Sequence, residues 1–164
     1  MPDNYQLVTS QSTVQVLSPT VVQDAVVATI QTEPHGVIAD YWLTQDEWDE
    51  GAAPDLLTAY AANIEQIMDD PHVLSAASGR SLDASGLVQS ELTVTVGYST
   101  PGSSFPPATV DVTIPANLLK PNAGTGSGSG VAQAVAMIDA AYAQLAAAAG
   151  APQPAPLATD TTTE

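Results

Sequence analysis

Nine carboxylates crowd one stretch of this chain. Asp40, Asp46, Glu47, Asp49, Glu50, Asp55, Glu65, Asp69 and Asp70 fall within residues 40–70, and no Lys or Arg stands among them. Several carboxylates on one loop suit a hard cation such as Ca²⁺, which takes oxygen ligands in a flexible shell. Asp46, Glu47, Asp49 and Glu50 are the candidate ligands. Their spacing lacks the central Gly of the twelve-residue Ca²⁺ loop, so a solvated acidic edge is the competing reading. Asp69 and Asp70 stand at the expected end of a helix, where the macrodipole disfavours anions. That placement does nothing for the helix and makes both candidates for contact with a partner's Lys or Arg.

Other chemistries find less support. The chain has no Cys, and no Gly-x-Ser-x-Gly stands where a nucleophile would need it. His35 and His72 each follow a proline, with no acid at helical spacing to complete a metal motif. Both read as turn residues. Paired carboxylates could flank a glycosidic bond, but only Trp42 and Trp48 stand near the acids as platforms for a sugar, and Trp48 is the candidate contact residue. The Gly/Ser run at 124–130 lacks the Lys of a phosphate loop. The expectation is a non-enzymatic protein without metal or cofactor.

Charge narrows the partners. Of 164 residues, 18 are Asp or Glu and two are basic, Arg80 and Lys120, for a net charge of −16. Two cations cannot neutralise a row of phosphates, which excludes nucleic-acid binding by charge. Anionic membrane surfaces are excluded for the same reason. Met1-Pro2-Asp3-Asn4 has neither a basic region nor an apolar run after it, so no signal peptide is expected. No stretch is expected to span a membrane.

The elements that must position these residues follow from periodicity. A strand is expected over Tyr5–Val16, ending at Ser18-Pro19. A second, Ala25–Thr32, is β-branched and apolar on both faces. Glu33-Pro34-His35-Gly36 has turn chemistry and leads into Val37–Leu43, completing a hairpin. Residues 44–53 read as a polar loop. Pro54 opens a helix in which Leu56, Leu57, Tyr60, Ile64, Ile67 and Met68 form one apolar stripe; Pro71 ends it. Strands follow at Val73–Leu82, Leu87–Ser99 and Val110–Ile114, with a turn at Asp83–Gly86. The expected fold is α+β: a mixed or antiparallel sheet with one packed amphipathic helix.

This core domain is assigned residues 1–119. Residues 120–130 form a flexible Gly/Ser linker, 131–149 a C-terminal helix, and 150–164 a disordered tail. In the last helix Val131, Val135, Ile138, Tyr142 and Leu145 repeat at spacings of four and three, a heptad-like seam. Two readings stand side by side. The helix folds back on its own sheet, or it is an arm whose seam docks on another subunit. The protein-interface candidates are therefore Val131, Val135, Ile138, Tyr142 and Leu145, with Trp48, Asp69 and Asp70.

Several short runs carry a family likeness. Ser18-Pro19-Thr20, Asp24 before an apolar strand, and Glu33-Pro34-His35-Gly36-Val37 resemble small proteins from the structural gene modules of tailed bacteriophages of actinobacteria. So do Ile64-Glu65, Leu82-Asp83-Ala84-Ser85-Gly86-Leu87 and Thr93-Val94-Thr95-Val96. The likeness covers roughly residues 5–119 and a variable C-terminal helix. It implies a virion component on the head, at the connector or in the tail, without enzymatic activity. Its expected partners are other virion proteins or copies of itself in a homo-oligomer, with neither nucleic acid nor membrane. It carries over no catalytic residue.

Overall fold

The computed structural model describes residues 4–82, 88–100, 102, 107–121 and 129–150. The expected turn at 83–86, linker residues 122–128 and the tail from 151 lie outside the described residues.

The fold is α+β, and its strands divide into two antiparallel three-stranded sheets. The first sheet holds β1 (Tyr5–Ser18), β2 (Val21–Thr32) and β3 (Ile38–Thr44) in that order. β2 begins four residues before the expected Ala25 and turns directly out of β1 at Pro19-Thr20. The signal was hidden because Val21–Asp24 are apolar and polar in pairs, not in alternation. The β2–β3 hairpin forms over the expected turn, with Ala25 opposite Thr44 and Gln31 opposite Ile38. Glu33–Pro34 is cis, and Gly36 takes φ 73°, the left-handed region that favours glycine.

The polar loop expected at 44–53 contains a short helix, α1 (Gln45–Asp49). Thr44 caps it: its hydroxyl accepts from Glu47 N, and the Glu47 carboxylate accepts from Thr44 N. A reciprocal Thr/Glu pair at this spacing satisfies two otherwise orphaned donors. The main helix, α2 (Ala53–Met68), opens at the predicted proline and stops before Pro71, with Asp69 as its C-cap. Leu57, Tyr60, Ile64 and Ile67 of the predicted stripe are buried, and Ala61 joins them. Each large side chain buried this way contributes roughly 1.5–3 kcal/mol.

The second sheet holds β4 (Val73–Leu82), β5 (Val88–Tyr98) and β6 (Ala108–Pro115). Leu92, Val94 and Val96 of β5 point inward, as their alternation predicts, alongside Ile114 of β6. A single 3₁₀ turn, Ala116–Leu118, follows β6. The last helix, α3 (Ser129–Gly150), lies over β5 and β6 and touches α2.

That packing corrects the reading of the last helix as an arm. Val131, Ala134 and Ile138 are fully buried in the same hydrophobic cluster as α2 and both sheets. Val135, Tyr142 and Leu145 pack against its margin. The helix is part of the core, not a unit appended to residues 1–119. Gly130 sets its approach: a Cβ there would run into the Leu118 carbonyl. By length and composition alone, Gly130–Ala149 is apolar enough to cross a membrane, with mean hydropathy 1.3, against the expectation that no stretch would be. Its apolarity is largely alanine, and its larger side chains face the protein's own core.

Candidate functional site

The residues with chemical potential fall into four places, and three of them are engaged internally. The first is the acidic stretch. Glu47 is committed to the Thr44 cap, and Asp49 accepts from Gln45 Nε2 at 3.0 Å. Among the described residues no three Asp, Glu or His side chains converge as metal ligands. Asp46, Glu47, Asp49 and Glu50 therefore do not assemble the candidate cation site; Glu47 and Asp49 accept hydrogen bonds from their own turn instead. Trp48, expected as a contact residue, packs partly buried against the core. Asp70 accepts from His72 N at 2.9 Å, closing the turn after α2, while Asp69 stays exposed. His72 stacks on Tyr142, with ring centroids 3.5 Å apart and 15° between planes. The seam residue thus holds the α2–β4 turn.

The second place joins α2 to the β2–β3 turn. Glu65 is 9% exposed, and sequence periodicity alone did not mark it as special. Its Oε1 accepts from Thr32 Oγ1 at 2.6 Å and from His35 N at 3.1 Å. Its Oε2 meets His35 Nδ1. Thr32 Oγ1 in turn accepts from Val37 N. Burial pushes the Glu65 pKa up, but the hydrogen bonds from Thr32 and His35 outweigh it and hold the carboxyl below its ordinary range. The arrangement is a clamp: one carboxylate satisfies three donors of a tight turn. Glu65 lies one helical turn from Ala61 on the buried side, and an acid on such a face was the available signal.

The third place is β3, which both cations flank. Arg80 Nη2 donates to Asp40 Oδ2 at 3.0 Å, and Thr29 Oγ1 donates to Asp40 Oδ1 at 2.7 Å. Lys120 Nζ donates to the Trp42 carbonyl at 3.2 Å and lies 4.9 Å from the Tyr41 ring centroid. Burial lowers the Lys120 pKa, opposed by the nearby Glu47. Burial, with Glu47 adding to it, pushes the Tyr41 phenol up to about 12. Trp42 Nε1 donates to Ser90 Oγ at 2.8 Å, tying the two sheets together. Arg80 and Trp42 also line a shallow groove on the outer face of the first sheet with Thr9, Gln11, Thr13 and Thr29.

The fourth place is left open. β3 stops pairing at Ala25, whereas β1 and β2 continue past it, with Val14 opposite Asp24 and Val16 opposite Val22. This two-stranded ribbon exposes Val14 (50%), Val16 (48%), Leu17 (46%), Val21 (48%) and Val22 (63%). Its only charge is Asp24. A two-stranded hairpin is marginal on its own in water, and clustered exposed apolar side chains mark interaction surfaces. None of the residues first chosen as interface candidates lies here.

Comparison with protein families, with curated proteins and with solved structures finds no match.

Proposed function

We propose that this chain is a non-enzymatic structural protein of a bacteriophage particle, a head decoration, accessory or connector-type component acting through protein–protein contacts in multiple copies. The observation that carries the contact role is the exposed, nearly uncharged β1–β2 ribbon on a protein of net charge −16. The two cations support the choice of partner. Arg80 is paired with Asp40, and Lys120 is turned onto Trp42 and Tyr41. A surface of this kind repels nucleic acid and meets other proteins through apolar contact. The virion assignment itself rests on the resemblance of the turn and strand motifs, and a tail position is the variant reading within it. The decisive experiment is sedimentation of purified particles followed by mass spectrometry. Recovery of the chain at a fixed stoichiometry is expected, and particles that lack it overturn the reading.

A second reading, a saccharide-binding module, shifts from Trp48 to the groove over Trp42, where Thr, Gln and Arg side chains line one face. It predicts a melting temperature that rises with millimolar sugar. An unchanged melt removes it.

A further inference from the structure

We infer that two copies of this chain associate by pairing β1 with β1 in antiparallel fashion about a two-fold axis at Gln11, joining their first sheets into one six-stranded sheet. The inference deepens the assembly reading, on which it rests only in taking the protein to act in multiple copies.

Three observations carry it. The first is an open edge. Among the described residues β1 forms a strand ladder only with β2, so along residues 8–14 its other side is an open strand edge. Natural edge strands are usually short or guarded by Lys, Pro or inward charges against such pairing. β1 is 14 residues long and contains no Pro and no charged residue. Its two register irregularities lie at Leu7/Thr9 and Val16/Ser18, which leaves a regular stretch between them.

The second is self-complementarity. Residues 8–14 read Val-Thr-Ser-Gln-Ser-Thr-Val, the same in both directions. A two-fold axis at Gln11 sets Thr9 against the second copy's Thr13, Ser10 against Ser12 and Val8 against Val14. Cross-strand Thr–Thr, Thr–Ser and β-branched pairs are favourable in antiparallel sheets. Gln11 is also close to the middle of β1, so nearly the whole strand overlaps its twin. The exposed Val8 of each copy then lies opposite the exposed Val14 of the other. The two-fold axis stands perpendicular to the sheet and keeps inner faces with inner faces, as an isologous contact requires.

The third is charge. Two molecules of net charge −16 repel unless their contact is neutral. β1 brings no carboxylate to the axis, which makes a second copy an occupant that this edge accepts without like-charge conflict. The size also suffices. A strand of 14 residues at about 3.4 Å each is roughly 47 Å long. A strip of that length and about 10 Å thick, the depth of one sheet layer, buries on the order of 500 Å² per copy, about the 1,000 Å² in total that a specific interface needs.

The test uses the full chain in solution, away from any particle. Sedimentation equilibrium is expected to give twice the monomer mass. Because the chain has no Cys, Gln11→Cys introduces a single thiol at the axis. Directly opposed Cα atoms lie about 4.5–5.5 Å apart, within disulfide reach. Gln11→Cys is expected to cross-link under mild oxidation at least tenfold faster than Thr9→Cys, whose twin lies four residues away along the strand. Thr9→Glu with Thr13→Glu is expected to weaken the dimer at least tenfold. Thr9→Lys with Thr13→Glu restores it, since opposite charges then face each other across the axis. A chain monomeric at all concentrations up to about 100 μM overturns the pairing, as does a dimer in which both Cys variants cross-link equally. A monomer that still sediments with particles removes this inference and leaves the virion reading standing. A dimer absent from particles does the reverse.

Discussion

The α3 seam and the β1–β2 ribbon are both apolar, nearly uncharged segments, yet the fold treats them in opposite ways. The seam advertised an interface by its heptad spacing, and the fold covers it: Val131 and Ile138 are buried against β5, β6 and α2. The ribbon advertised nothing, and the fold leaves it open. The difference lies in what stands opposite. β5 and β6 present Leu92, Val94 and Ile114 as a ready apolar floor for a helix. The ribbon runs past the end of β3, and its Val side chains stay about half exposed or more. An apolar pattern says that a surface needs covering, and the neighbouring elements decide whether the chain covers it itself.

This contrast can be broken most directly in α3. Ile138→Asp places a charge in the fully buried core and is expected to cost about 4 kcal/mol or more. Chemical denaturation followed by circular dichroism measures it; a loss below about 1 kcal/mol would return the seam to the surface. Next in size is Glu65→Ala, which strands the Thr32 hydroxyl and the His35 amide and is expected to cost about 3 kcal/mol. Gly130→Ala forces α3 away from the Leu118 carbonyl and is expected to cost about 1–3 kcal/mol. At the other end of the scale, Val22→Ser on the ribbon should change monomer stability by no more than about 0.5 kcal/mol. A large loss there would mean that the ribbon is held by packing within its own chain.

The Glu65 clamp adds a pH signature. Its folded carboxyl titrates below the ordinary 4.5, so its contribution is complete above that pH and is lost as pH falls through the lower folded value. Acid melts should therefore be steeper for the wild type than for Glu65→Gln. Tyr41 acts at the alkaline end. With its pKa raised from 10.0 to about 12, its contribution is complete below pH 10 and is lost as pH rises towards 12. Tyr41→Phe should flatten that limb.

Much of the fold was legible along the chain. The α2 stripe, the inward row of Leu92, Val94 and Val96, and the Glu33–Gly36 turn follow from local periodicity and turn chemistry. These depend on residues two to four positions apart. α1 was read as a loop although Thr44 and Glu47 form a capping box, because its acids outweighed that short signal. The start of β2 at Val21 was lost because an exposed strand needs no alternation.

The site residues were less legible, since each depends on elements far apart in sequence. Asp40 meets Arg80 forty residues on, Lys120 meets Trp42 across 78, and Glu65 closes a turn thirty residues before it. The sequence by itself determined the α+β class, the main helix, the strand faces and the scarcity of cations, all of which are set by composition and short-range pattern. Only the tertiary structure decided that the heptad seam is interior, that both cations are engaged on β3, and that β1 keeps an open edge. Those outcomes depend on which surfaces find a partner in the same chain, and burial is a property of pairs of elements, not of either one alone.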